Sequence, residues 1–212
     1  MYKLNKNYLL LNDGERKEMR NEEGDNYQLY CLNIGEIDLP TGQIVACDPF
    51  IEIERDSFLK EVKPGKYPVL INVADLGNNH ERVAYAMIKF SQKEVVTWEL
   101  AIIHESMIQE LDELSDEEFF GYGVDAGTGS FMDKQTALSI IAYEKERQED
   151  DSYFYLDFED EFSKNNWFIT SIKGKTDNFA VFTSGWGDGY YPTFWGLDEN
   201  GEPVCLVTKN NI

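Results

Sequence analysis

The sequence predicts an α+β domain dominated by antiparallel sheet, sandwich-like or barrel-like, with one well-defined helix near residues 134–147. Three observations predict it. The chain carries 13 Phe, 12 Tyr and 4 Trp among many Val, Ile and Thr, which suit pleated, half-buried surfaces. Its apolar residues come in short runs of strand length, separated by Pro, Gly, Asn and Asp turn signals. Only the stretch 134–147 holds helical spacing over several turns, with Ala137, Ile140, Ile141 and Glu144 on one face and Asp133 placed to cap it.

In chain order, residues 1–26 are charged and rich in Asn and Glu, with only 8–11 clearly apolar, and read as a peripheral N-terminal arm. Residues 27–212 read as a single globular domain, a length ample for a real core. A strand-like run at 27–34 is followed by 37–47, where Pro40 and Gly42 mark a turn between two short strands. Asp48-Pro49 is a further turn, and 55–62 reads as a short helix or loop. Runs at 67–74, 83–90 and 95–103 with short connections predict a meander, the last two joined as a hairpin through 91–94. Residues 105–118 hold seven carboxylates and no Lys or Arg, the pattern of a solvated face. After the helix, 153–158, 167–172 and 178–183 resume strand character. Asn200-Gly201 between 193–197 and 203–208 predicts a terminal hairpin.

Charge and cysteine content narrow the functional classes. Forty acidic against 19 basic residues leave a formal net charge of −21, which repels nucleic acid and anionic membranes and favours a basic protein partner. Cys31, Cys47 and Cys205 are sparse, odd in number and unpaired in spacing, which argues for a reducing compartment and against a disulfide framework. The first residues hold too short an apolar run for a signal peptide, and no stretch nears the roughly 20 apolar residues of a membrane helix. Cytoplasm is the expected location. Oligomeric state is not encoded in any recognisable pattern.

Two glycine-rich segments carry the candidate site: 121–133, containing Gly127, Thr128 and Gly129, and 184–192, containing Trp186, Asp188 and Tyr190. Asp125, Asp133 and Asp188 lie in or beside them, and three carboxylates near backbone carbonyls would suit a hard divalent cation. Otherwise no cofactor is expected. The commoner use of such aspartates is to accept backbone N–H bonds and fix tight turns, and Asp125 and Asp188 suit that role. Gly127-Thr-Gly129 precedes a helix, as a phosphate-cradling loop would, but lacks the following Lys and is ringed by carboxylates. His80 and His104 lie in no motif with a nucleophile, and Gly-x-Ser-x-Gly is absent. No catalytic residue is therefore assigned. Trp186 and Tyr190, with neighbouring aromatics, could offer a stacking or anchoring surface, though alternate strand positions also fill cores.

The blocks Leu39-Pro-Thr-Gly-Gln-Ile-Val-Ala-Cys-Asp-Pro49, Gly65-Lys-Tyr-Pro-Val69, Gly123-Val-Asp-Ala-Gly-Thr-Gly129, Ser184-Gly-Trp-Gly-Asp-Gly189 and Trp195-Gly-Leu-Asp-Glu-Asn-Gly201 occur in that order. Together they resemble a bacterial family catalogued as domain of unknown function 4241, over roughly 27–208. The resemblance implies a soluble bacterial domain, sometimes in settings that suggest toxin–immunity systems, and it implies no catalytic residues. Charge, missing catalytic signature and resemblance together favour a protein-binding, immunity-type module. The alternative is a metal-assisted hydrolase or small-ligand-binding domain built on Asp125, Asp133 and Asp188.

Overall fold

One long strand organises the molecule in the computed structural model, which describes residues 11–20, 24, 26–115, 118–146, 157–172 and 174–210. This strand, β2 (Asn26–Leu39), alternates its side chains between two cores. Leu29 and Cys31 face one cluster, while Tyr30 and, beyond a bulge at Gly35, Ile37 and Leu39 face another. Such alternation is what a strand with both faces covered requires. On one edge it pairs with β1 (Arg16–Arg20), so part of the N-terminal segment completes the sheet. Leu11 is buried there too, its N–H donating to the Asn72 side chain at 2.9 Å.

On the other edge β2 pairs with β4 (Gly65–Asp75), which pairs with β5 (Glu81–Lys89). The sheet continues through β12 (Pro203–Lys209) and β11 (Gly189–Leu197) to β6 (Thr97–Leu100), all antiparallel, and curls into a half-barrel. The first half of β11 also pairs with β7 (Gly121–Val124), giving eight strands among the described residues. A second, four-stranded sheet runs β3 (Ile44–Cys47), β8 (Thr128–Asp133), β10 (Asn178–Thr183), β9 (Trp167–Ser171).

The two sheets share one core. Ile44, Ala46, Phe131, Ala180 and Phe182 of the small sheet meet Ile37, Leu39, Val69, Ile71, Ile88 and Trp195 of the large one. The opposite face of the small sheet (Val45, Met132, Phe179, Val181) packs on Ala137 and Ile140 of α2 (Lys134–Glu146). Asp133 caps α2, accepting the Gln135 N–H at 2.8 Å. Two one-turn helices, α1 (Met107–Glu110) and α3 (Glu159–Phe162), complete the described elements. The predicted α+β class, mainly antiparallel with one substantial helix, is thus the observed one.

The predicted hairpin between 83–90 and 95–103 does not form. β5 pairs with β12 and β6 with β11, so the terminal hairpin inserts between them. Val204, Cys205, Leu206, Val207 and Thr208 are all buried, and a strand apolar on both faces gains most from a central position. That burial outweighs the short connection. The terminal hairpin itself is as predicted: β11 and β12 pair around a turn in which Asp198 accepts the N–H groups of Asn200 and Glu202, each at 2.9 Å. Of the strand-like run at 153–158, residues 153–156 lie outside the described residues, and residues 157–158 precede α3 rather than joining a sheet.

Candidate functional site

The two glycine-rich segments meet. Asp188 accepts the Gly127 N–H on Oδ1 at 3.1 Å, and the Ser184 N–H donates to the Gly127 carbonyl at 3.0 Å. Both contacts follow from topology: β8 and β10 pair up to Thr128↔Thr183, and β7 and β11 pair from Gly189↔Val124. The segments are therefore the two connections leaving neighbouring strands at one end of the molecule.

A carboxylate outside both segments holds the first loop. Asp48 is fully buried, and its Oδ2 accepts the N–H groups of Asp125 at 3.1 Å and Ala126 at 2.8 Å. Its Oδ1 accepts the Phe50 N–H at 3.0 Å. Burial pushes the Asp48 carboxyl above its ordinary value, and the three amides oppose that shift by stabilising the charge. Gly127 turns the loop at φ +61°, a left-handed conformation that glycine adopts without strain. At Gly129 the requirement is space, since a Cβ would lie 2.5 Å from the Tyr122 hydroxyl and 2.6 Å from the Phe182 ring. The Thr128 hydroxyl is buried and donates back to the Ala126 carbonyl at 3.0 Å.

The second loop is clamped from within. Tyr191, buried beneath it, donates its hydroxyl toward the carbonyls of Ser184 (3.0 Å) and Gly187 (2.7 Å). Ser184 donates its own hydroxyl to the Gly187 carbonyl at 2.7 Å. The turn they close lifts Trp186 outward, leaving it 58% exposed. Its ring is nonetheless held: the Arg82 guanidinium lies 5.2 Å from the ring centroid and the His80 ring 5.6 Å away, edge-on. Tyr190, 49% exposed, stacks on Phe119 at 5.9 Å. Phe119 ends the acidic segment, whose Glu105, Glu110, Asp112, Glu113 and Glu118 are all exposed.

Of the residues singled out from sequence, Asp125, Gly127, Thr128, Gly129, Trp186, Asp188 and Tyr190 lie on these joined loops. Asp133 does not join Asp125 and Asp188. It is buried at the far end of β8, accepting the N–H of Thr41 at 3.0 Å and the Thr41 hydroxyl at 2.8 Å as well as capping α2. Among the described residues no group of three or more His, Cys, Asp or Glu is placed to hold a metal ion. All three cysteines are free and buried, and burial pushes their thiols up to about 12, far from the thiolate form a nucleophile needs.

A family model described as a protein of unknown function, DUF4241, matches residues 37–208. The chain belongs to the DUF4241 family. The matched span begins inside β2 and takes in both glycine loops, Asp48, and the terminal hairpin. No curated protein and no solved structure matches the chain. No helix among the described residues is long and apolar enough to cross a membrane.

Sequence reasoning missed Asp48, Arg82, His80 and Ser184 as contributors to the geometry of this candidate site. Asp48 lay in plain view in Asp48-Pro49, but nothing local distinguishes a turn aspartate from one that reaches 77 residues along the chain. Arg82 and His80 flank a strand start, and only the fold brings them to Trp186.

Proposed function

We propose that this DUF4241 protein is a protein-binding module of the toxin-neutralising type, acting in the cytoplasm of a bacterial cell. Its recognition face is the outer surface of the two joined glycine loops. The observation that carries the reading is Trp186: a mostly exposed indole on a hydrogen-bonded turn, held by Arg82 and His80 rather than left to rotate. Trp, Tyr and Arg dominate the residues that carry binding energy at protein interfaces, and a pre-ordered side chain loses less entropy on binding. Tyr190 on Phe119 adds a second ordered aromatic, and the acidic segment ending at Phe119 supplies charge for a basic partner. The inward carboxylates of the site are occupied by backbone amides, which leaves little for catalysis to use. Three free, buried cysteines fit a reducing compartment.

The test is capture of basic proteins by the tagged full chain, with each captured protein then purified and titrated calorimetrically. The reading expects at least one purified pair whose affinity falls with added salt and falls about tenfold in Trp186→Ala. A set of captured proteins none of which binds when purified, or binding insensitive to both changes, contradicts it.

A further inference from the structure

At β6, away from the glycine loops, the large sheet ends and its outer edge opens onto an apolar cavity of about 590 Å³. Glu99 and Leu100, whose side chains leave opposite faces of the strand, both line it, so the cavity sits at the edge of the sheet rather than over one face. Its floor is Trp195, buried and braced by the rings of Phe58 at 6.2 Å and Phe90 at 5.9 Å. Leu59 forms one wall, and Ile108 and Leu111 at the turn of α1 form the other. Leu59 is 43% exposed and Ile108 53% exposed, which is costly for large aliphatic side chains unless something apolar covers them.

The edge carries an open rung. The Ala101 N–H donates to the Thr193 carbonyl at 2.7 Å while Leu100 lies opposite Phe194, so Ala101 turns its backbone groups toward β11 and Leu100 turns its own away. Ile102 also turns outward, and its carbonyl accepts the Leu59 N–H at 2.9 Å. The outward N–H and C=O of Leu100 have no such partner among the described residues, although Leu100 is only 5% exposed. A donor and an acceptor left unmet in so buried a place are costly. Leu59 already closes the edge at Ile102, so a peptide could not extend the ladder in that direction, and the gap suits a small molecule. The volume agrees, lying within the range of about 300–1,000 Å³ typical of such sites. The charged groups of the lining set the ligand's charge at zero. Lys60 and Glu99 neutralise one another at 3.0 Å, and Asp112 is likewise engaged rather than free. An ionic ligand would therefore leave water without finding a free countercharge.

We propose that this cavity binds a small uncharged amphiphile, an apolar body ending in a carboxamide or hydroxyl that both donates and accepts. The body lies on Trp195 between Leu59 and Ile108, and the polar end completes the open rung at Leu100. The site is distinct from the Trp186 face, and neither reading depends on the other.

The experiment titrates the full chain with octanamide, N,N-dimethyloctanamide, octanoate and octylamine, each below its micelle-forming concentration, by calorimetry and by amide nuclear magnetic resonance. Octanamide should bind at one site and move the Leu100 amide proton downfield, the mark of a new hydrogen bond there. It should bind at least about tenfold more tightly than either octanoate or octylamine, because both ions lose hydration without a countercharge. The dimethyl amide keeps the acceptor and loses the donors, and should bind about fivefold more weakly than octanamide, the worth of one hydrogen bond. Ile108→Trp, which fills the cavity from an exposed position, should weaken octanamide binding at least about tenfold, and Leu59→Asp should do the same by placing charge on the wall. The proposal is overturned if octanamide does not bind, if it binds without moving the Leu100 amide, or if the dimethyl amide or either ion binds as well. It is overturned equally if both wall variants melt like the wild type yet bind octanamide unchanged, or if sedimentation shows two copies of the chain pairing through this edge in place of the ligand.

Discussion

The glycine loops and the β6 cavity lie on the same large sheet and solve opposite problems. At the loops, polar groups turn inward and are satisfied: Asp48 takes three amides, Asp188 one, and Tyr191 clamps two carbonyls. Aromatic rings are left on the outside. At β6 the apolar groups line a hollow and the charges stand at the rim. The difference teaches that glycine and aspartate density marks backbone engineering in this fold, while the exposed side chains beside it are what a partner would meet. Aspartates that hold a loop are poor candidates for holding anything else.

The comparison breaks most readily at Asp48. Asp48→Ala would leave three partly buried N–H groups without their acceptor, a loss of about 3 kcal/mol. Urea titration should show this, and amide exchange should show protection lost at Asp125 and Ala126 before the rest of the sheet. If exchange there is unaltered, the carboxylate is not what orders the loop.

Next in size is Gly129→Ala, whose Cβ meets the Tyr122 hydroxyl and the Phe182 ring with no room to yield. Overpacking of this kind costs about 2 kcal/mol. By contrast Gly123→Ala, where a Cβ would meet nothing within 4 Å, should change stability by less than about 0.5 kcal/mol. Equal effects at both positions would mean that the glycines serve chain flexibility rather than close approach.

A smaller effect concerns pH. Burial raises the Asp48 carboxyl, so the folded chain holds this proton more tightly than the unfolded one, whose value is about 3.9. The stability this group contributes is therefore fully present below that unfolded value and is lost as pH rises through the raised folded value. Melting of wild type minus Asp48→Asn, followed from neutral pH downward, should shift in favour of wild type across that window. A shift the other way would show that the amide hydrogen bonds outweigh desolvation. Smallest of all is the response to divalent cations. Because Asp133 is committed to Thr41 and to the cap of α2, millimolar Ca²⁺ or Mg²⁺ should leave the melting temperature unchanged.

Much of this was legible in the chain. The class, the helix behind Asp133 and the terminal hairpin follow from local signals: spacing, a capping aspartate and Asn200-Gly201. That 121–133 and 184–192 form one feature could be suspected from their likeness but not established. Pairing of strands β8 and β10, some 50 residues apart, is a property of the core they share. The insertion of the β11–β12 hairpin between β5 and β6 was hidden for the same reason, since a short link argues for a hairpin until burial argues otherwise. Asp48 was the largest omission. Its role depends on β3 lying beside β8, a pairing between distant parts of the chain, and no periodicity records that.

The central claim is that the joined loops are a rigid platform for a protein partner, with Trp186 as its anchor. Calorimetric titration of a purified partner against wild type and Trp186→Ala tests it most directly, with thermal melts run alongside. The account predicts a loss of about tenfold or more in affinity with the melting temperature unchanged. Undiminished affinity in a fully folded Trp186→Ala protein would contradict it.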